Sequence, residues 1–212
     1  MSDRGAMETG ALAYLAEQLG PRAPRALTFE REFSESPLEG EGRTLLFSFD
    51  MEPGSGAPEC SDADRRHYVA FGETTPNFFP AYGLGPDEAY SFHVGTRFML
   101  VMRVQKVEPE AAPPNARPSL DHMLASAAPG AGVENVELAA LFRCDDDYFA
   151  VYRLDIEGRR VYGLAADCPP GFHELTQHPP QMVLRLHLGQ VIRAEARAAA
   201  RAGESEARDE TR

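Results

Sequence analysis

Alternating hydrophobic and polar residues predict most of the extended segments in this chain. In the clearest stretch, Asp145–Asp167, hydrophobic residues occupy every second position from Tyr148 to Ile156, the spacing that places them on one face of a strand. A second strand follows at Val161–Ala166, and the connection Glu157–Arg160 contains a glycine that can adopt positive φ, so the stretch predicts a β-hairpin. Similar patterns predict further strands at Ala26–Phe33, Thr44–Met51, Arg65–Gly72, Phe98–Val107, Glu134–Arg143 and Met182–Leu188.

Apolar residues spaced by three or four positions predict a smaller set of helices. Leu12, Leu15 and Leu19 lie on one face of a helix over Glu8–Leu19, which Gly20-Pro21 ends. Shorter helices are predicted within Asp87–His93, at Ser119–Ala127 with Ser119 as the N-cap, and at Arg193–Ala202. Together with the strands, this pattern predicts an α+β fold that is mainly antiparallel sheet with a few short helices.

A proline-rich segment separates two similar series of elements. Glu108–Pro118 carries four prolines in eleven residues, and proline both removes a hydrogen-bond donor and disfavours helix in the residue before it. Residues 108–118 are therefore predicted to form a semi-stiff linker between an α+β half at 1–107 and a second one at 119–203. The charged residues at 204–212 predict a disordered tail.

Matching residues indicate that the two halves could be copies of one unit. Arg65-Arg66-His67-Tyr68 corresponds to Arg159-Arg160-Val161-Tyr162, and at the same offset Phe78 corresponds to Phe172. One interpretation is a tandem duplication of an α-β-β-β-β unit of domain size. The other interpretation is that two unrelated meanders share only the alternation of their strands.

Composition and charge argue against several classes of function. The hydrophobic fraction of 43% and the charged fraction of 25% are typical of a globular protein. The net charge of −12 argues against binding to nucleic acid or to an anionic membrane surface, because both require a basic surface. The sequence shows no secretory leader and no apolar run of about 18 residues that could span a membrane. Three irregularly spaced cysteines indicate reduced thiols, and a single lysine among many arginines indicates a bacterial coding bias, so a bacterial cytoplasm is the expected location.

The negative charge is concentrated locally. Glu30–Asp64 contains ten acidic residues but only two basic ones, Arg31 and Arg43. Such a segment is either a solubilising surface or a site that a basic protein partner could recognise.

One loop contains residue types that can bind a metal. Cys168, His173 and His178 follow a C-x4-H-x4-H spacing, and thiolates and imidazoles are ligands that zinc prefers. Structural zinc sites usually contain closely paired C-x2-C or H-x3-H ligands, and neither pair occurs here. The alternatives for this loop are a zinc site, a Cys/His nucleophilic centre, or residues without a ligand, and the expected protein needs no cofactor.

Aromatic residues in and after the predicted loop Thr74–Pro86 are the candidate partner site. Phe78, Phe79, Tyr82 and Tyr90 would form a large apolar surface if several were exposed together. If they instead cover the core of their own sheet, the loop is purely structural. Because adjacent residues in an extended segment point to opposite faces, we predict that Phe79 points inward and that Phe78 and Tyr82 point outward.

These observations favour a binding protein over an enzyme. No stretch carries a specific catalytic or nucleotide-binding signature, so no catalytic residue is assigned. The expected function is that of a non-enzymatic interaction, adaptor or assembly protein, whose partner is another protein or a second copy of the chain. Two alternatives stay open: a small metal-dependent or Cys/His hydrolase centred on the Cys168–His178 loop, and an oligomeric structural component.

Overall fold

The computed structural model describes residues 4–34, 42–51, 65–73, 75–112, 119–166 and 168–209. In these residues it contains two antiparallel sheets and four α-helices, which confirms the predicted α+β class. The helices are α1 (Arg4–Leu19), α2 (Pro86–Val101), α3 (Leu120–Ala127) and α4 (Pro180–Asp209). The strands are β1 (Thr28–Phe33), β2 (Thr44–Asp50), β3 (Arg66–Gly72), β4 (Asn77–Pro80), β5 (Gln105–Val107), β6 (Val133–Cys144), β7 (Asp147–Ile156), β8 (Arg159–Ala165) and β9 (Gly171–His173).

The chain divides into two compact units. Unit 1 comprises residues 1–93 together with 192–212, and unit 2 comprises residues 94–191. The boundaries lie within helices, because α2 and α4 each contribute residues to both units. Most of the segment 108–118 lies outside the described residues, so its role as a linker between halves at 1–107 and 119–203 stays a prediction.

The sheet of unit 1 has the strand order β1-β2-β3-β4 and carries apolar side chains on both faces. On one face Phe47 and Phe49 of β2 pack with Leu15 of α1, as the alternation of the strand and the leucine spacing of the helix predicted. On the other face Phe79 of β4 contacts Phe92 of α2, with ring centroids 4.8 Å apart. Helices therefore contact both faces, and six of the seven residues of β2 are buried.

The sheet of unit 2 has the strand order β5-β6-β7-β8-β9, with α3 packed on one face. Met123 of α3 is buried against Leu141, Ala150 and Ala165, which come from three adjacent strands. This cluster forms because Leu141, Ala150 and Ala165 lie opposite one another in the paired strands, and paired residues point to the same face of the sheet.

Two local predictions in unit 2 are confirmed. The Ser119 hydroxyl accepts a hydrogen bond from the backbone N–H of His122, which satisfies one of the unpaired donors at the start of α3. The hairpin of β7 and β8 turns on Glu157-Gly158, whose φ angles are 50° and 77°. Positive φ at both positions suits the right-handed twist of the strands, and the glycine adopts it without steric cost.

The matched tyrosines make the same hydrogen bond in each unit. The hydroxyl of Tyr68 donates to the carbonyl of Leu84 at 3.1 Å, and the hydroxyl of Tyr162 donates to the carbonyl of His178 at 3.2 Å. In both cases the acceptor lies in the loop that leads into a long helix, α2 or α4. A tyrosine at this position therefore fills the core with its ring and holds that loop with its hydroxyl.

The meanders β1–β4 and β6–β9 also agree in register. Tyr68 lies opposite Phe79, and Tyr162 lies opposite His173 at the corresponding step of the second meander. The first strand pair of each meander has a register shift, near Phe29 in β1 and near Leu138 in β6. These agreements support a tandem duplication, which stays a prediction.

The prediction of a final strand in each half is wrong. Phe98–Val107 lies mainly in α2 and the turn after it, with only β5 extended, and Met182–Leu188 lies in α4. Met182, Val183 and Leu184 are buried in succession, whereas in Phe98–Val107 Met99 is buried and Leu100, Val101 and Met102 are exposed. A nearly continuous apolar run has no reliable period, so it does not distinguish a buried helix from a buried strand.

Three further boundaries differ from those predicted. Helix α1 begins at Arg4 instead of Glu8, and β4 occupies part of the segment predicted as a loop. Helix α4 continues to Asp209, where the sequence predicted a disordered tail after residue 203. Alanine, glutamate and arginine follow Gly203, and these good helix formers offset the roughly 1 kcal/mol cost of one glycine. None of the helices in the described ranges combines the length and hydropathy that a membrane span requires.

Helices α2 and α4 come into close backbone contact within unit 2. A Cβ atom placed on Gly95 would lie 1.7 Å from the carbonyl oxygen of Arg185 and 3.0 Å from the backbone nitrogen of Gly189. Real Cβ atoms do not approach backbone so closely, so this crossing requires glycine at position 95.

Candidate interaction site

Arg103, just after the end of α2, occupies the helix-capping position at which glycine is most common. The N–H of Val104 donates to the carbonyl of Met99 at 2.9 Å, and the N–H of Arg103 donates to the carbonyl of Leu100 at 3.3 Å. These two bonds define a Schellman motif, in which the residue after the helix adopts the left-handed conformation. Arg103 has φ 53°, a conformation that costs a residue with a side chain roughly 1 kcal/mol and costs glycine nothing. A strained residue of this kind is a candidate for a role outside folding.

Three consecutive apolar side chains are exposed at the same point. Leu100, Val101 and Met102 are 71%, 66% and 39% exposed, whereas Met99 before them is buried. Leu100 and Val101 are the most exposed large apolar side chains in the described residues. Isolated exposed apolar residues are common, but a contiguous group beside charged residues is typical of an interaction surface.

Val101 and Met102 line an open pocket of about 320 Å³ that lies wholly in unit 2. Pairing of β5 with β6 shapes it, because that register places Gln105 opposite Arg143. The thiol of Cys144 also donates to the carbonyl of Met102 at 3.5 Å, which holds the end of α2 against β6. We call this surface the patch; it consists of Leu100, Val101, Met102, Arg103, Gln105, Arg143 and Asp145.

The patch carries charges of both signs. Arg103 and Arg143 supply two guanidinium groups, and Asp145 supplies a carboxylate at the turn between β6 and β7. Asp146 and Asp147 follow in the same turn, and both are exposed. A surface with separate cationic and anionic groups around apolar side chains can bind a complementary protein surface in a defined orientation.

A second cluster in unit 2 joins two buried imidazole rings. His173 Nε2 lies 3.0 Å from His187 Nδ1, and His187 Nε2 lies 2.8 Å from the carbonyl oxygen of Pro169. Because a carbonyl oxygen can only accept, His187 carries its proton on Nε2, and its Nδ1 accepts the N–H of His173. In this arrangement His173 Nε2 and His187 Nε2 are both hydrogen-bond donors, and the bond between the two rings holds β9 to α4.

Burial lowers the pKa of both rings. Desolvation, together with the proximity of His187, lowers the pKa of His173 to about 4. Desolvation also lowers the pKa of His187, although its hydrogen bond to Pro169 acts in the opposite direction. Both rings are therefore neutral at pH 7, as the hydrogen bonds require.

These pKa values predict that acid destabilises unit 2. In the unfolded chain histidine has a pKa near 6.5, so the unfolded state binds protons that the folded state does not as the pH falls from about 6.5 to about 4. Stability is complete above that range and is lost as the pH falls through it. We expect His173→Gln to reduce the loss between pH 7 and pH 4.5 by about 2 kcal/mol, measured by urea unfolding.

The exposed His122 of α3 offers a matched control. His122→Gln makes the same substitution at a side chain that lies on the surface. Equal pH dependence in His173→Gln and in the wild-type protein would contradict the prediction.

The three candidate zinc ligands have different surroundings. His173 is hydrogen-bonded to His187, and the backbone carbonyl of His178 accepts the hydroxyl of Tyr162. Cys168 is partly exposed. Among the residues that the structure describes, no three or more His, Cys, Asp or Glu side chains are grouped so as to hold a metal ion. The geometry therefore adds no support to a site formed by Cys168, His173 and His178.

The four candidate aromatic residues do not form one exposed surface. Phe79 is buried, as predicted, and Tyr90 is fully buried in α2. Phe78 was expected to point outward, but it packs against the core cluster beneath α1. Only Tyr82 and part of Phe78 reach the surface, because both faces of the sheet of unit 1 are covered by helices.

The described acids of the segment Glu30–Asp64 are partly paired within unit 1. Glu32 accepts two hydrogen bonds from Arg43, at 2.6 and 2.7 Å, and these bonds lower the pKa of its carboxyl. Glu30 forms an ion pair with Arg66. Much of the rest of the segment lies outside the described residues, so its recognition by a basic partner stays a prediction.

No family model, curated protein or solved structure matches this chain. A functional assignment therefore depends on the geometry of its own residues.

Sequence reasoning missed the patch because it placed Leu100–Arg103 in a strand. The useful signal was the run Phe98–Met102, which is apolar at every position. In a helix such a run surrounds the whole circumference, so some of its side chains must face solvent unless a partner covers them.

Proposed function

We propose that this protein is a non-enzymatic interaction or assembly protein and that the patch is its contact surface. The observation that carries the proposal is the exposure of Leu100, Val101 and Met102 beside a pocket lined by charged side chains. Burying three such side chains would contribute several kcal/mol, at about 25 cal/mol per Å² of apolar surface. Contact of these apolar side chains with water is unfavourable.

The strained backbone of Arg103 supports the same proposal. Glycine would end α2 with less strain, so selection for stability alone favours glycine there. The arginine instead presents a guanidinium group at the pocket. Arginine is enriched at protein interfaces because its planar group makes several directed hydrogen bonds over an apolar stem.

We place this activity in the bacterial cytoplasm, and no cofactor takes part in it. The support is the composition of the chain: its cysteine usage suits a reducing compartment, and its single lysine suits a bacterial gene.

Site-specific photocrosslinking in cells tests the proposed contact surface. A photoreactive phenylalanine analogue at position 101 should give a crosslinked product of defined mass, because the residue lies in the contact. The same analogue at Val136, which is 44% exposed on β6 and does not line the pocket, should give none. The product from position 101 should disappear when Leu100→Glu is added. Equal products from both positions, or none from position 101, would refute the proposal.

A further inference from the structure

We propose that the partner of the patch is a second copy of this chain, bound in a two-fold symmetric contact. This inference rests on the proposed function, since it names the occupant of the same surface. In such a contact each copy presents the same residues, so the surface must be complementary to itself.

The charges of the patch meet that requirement. Arg103 and Arg143 are its cationic groups, and the turn that begins at Asp145 is its anionic group. In a two-fold contact the arginines of one copy can pair with the aspartates of the other, and the reverse, so each ion pair forms twice. A partner of only one charge sign would leave like charges in contact on one side of the pocket.

The charge of the whole chain favours self-association through a surface that contains basic groups. Two copies with a net charge of −12 repel each other. Contact is easiest where acidic groups face basic ones, and the patch supplies two arginines beside exposed apolar side chains. The apolar residues Leu100 and Val101 would then pack against their own counterparts.

The size of the patch predicts a weak dimer. A stable interface usually involves 20–30 residues on each side, whereas the patch contains seven. We therefore expect a monomer–dimer equilibrium with Kd on the order of 10–100 μM.

Sedimentation velocity of the purified full chain provides the first test. The mean mass should rise toward twice the chain mass as the concentration increases from about 1 to about 300 μM. Val101→Glu should weaken association by at least about tenfold, because it places a charge in the apolar centre. The control Val136→Glu, which changes an exposed apolar residue outside the patch, should associate like the wild-type chain. A monomer at every concentration, or equal effects of both variants, would overturn the proposal.

Charge reversal provides the second test. One variant carries Arg103→Glu and Arg143→Glu, and the other carries Asp145→Lys and Asp146→Lys. Each alone should be monomeric, because like charges face each other, whereas an equimolar mixture should form the dimer again. Thermal melts confirm that each variant is folded before it is mixed. Two folded variants whose mixture stays monomeric would overturn the two-fold pairing of the arginines with the aspartates.

Arg103→Gly separates a binding role from a structural one. This change removes the guanidinium group but allows the left-handed backbone without strain, so the melting temperature should stay equal or rise. Dimerisation should weaken by about fivefold or more if the arginine serves the contact. Unchanged dimerisation would show that Arg103 does not take part in the contact and that its strained backbone does not serve binding.

The two proposals fail in different ways. A chain that stays monomeric but still crosslinks another protein from position 101 keeps the proposed interaction function and loses the second copy as its partner. A chain that dimerises equally well in all patch variants also loses the second copy as the partner of the patch, whereas equal crosslinks from positions 101 and 136, or none from position 101, remove both proposals.

Discussion

Arg193→Ala is expected to destabilise the protein by about 3–5 kcal/mol, because it removes a large buried side chain together with its hydrogen bonds to Asp87 and to the buried Ser91. Arg193 is 3% exposed, and its guanidinium group donates to the carbonyl of Asp87 at 2.6 Å and to the hydroxyl of Ser91 at 2.8 Å. The group also lies over the rings of Phe33 and Tyr90, 5.2 and 4.7 Å from their centroids. Alanine would leave a cavity beside both rings and remove the hydrogen bonds that join α4 to α2 in unit 1.

The other arginines of α4 allow a matched control. Arg201 is exposed, and its side chain donates to the carbonyl of Arg197 in the same helix. Arg201→Ala should therefore change the free energy of unfolding by less than about 0.5 kcal/mol. Arg193→Lys should give an intermediate loss, since lysine keeps the charge but not the planar group that contacts both rings. Urea unfolding at pH 7 measures all three, and a small loss in Arg193→Ala would contradict this account.

Gly95→Ala is the second change with a large expected effect, about 3 kcal/mol of destabilisation or more. Its new methyl group would overlap the carbonyl oxygen of Arg185, and a backbone atom cannot move aside as a flexible side chain can. Helices α2 and α4 would have to separate within unit 2, which would loosen the packing around Leu184 and Leu188. In an exposed helix the same substitution usually stabilises by up to 1 kcal/mol, so the sign of the effect identifies the close contact.

Gly132→Ala is the control for adding a methyl group. No atom lies within 4 Å of the position that its Cβ would occupy, and its backbone is not in the left-handed region. We expect a change within about 0.5 kcal/mol in the free energy of unfolding. If Gly95→Ala were equally neutral, the close crossing of α2 and α4 would be wrong.

Local sequence patterns determined the elements that have one solvated face or a definite turn. The leucines of α1 at spacings of three and four predict a helix with one buried face, and the glycine between β7 and β8 predicts a tight turn. The Arg-Arg-x-Tyr match also corresponds to a shared structural feature, since the hydroxyls of Tyr68 and Tyr162 each bind the loop before a long helix. These features depend on residues that are close together in the chain, so they can be predicted from the sequence alone.

Only the tertiary structure decided which of the strongly apolar segments are helices and which side chains stay exposed. The apolar run Phe98–Met102 has no clear period, and Met182–Leu188 alternates as a strand would, so local pattern did not identify either segment as part of a helix. The patch depends in turn on where α2 ends and on the pairing of β5 with β6, which joins residues about forty positions apart. Exposure of Leu100 and burial of Tyr90 are properties of that packing, because hydrophobicity drives a residue toward a core but only the completed fold determines which residues find one.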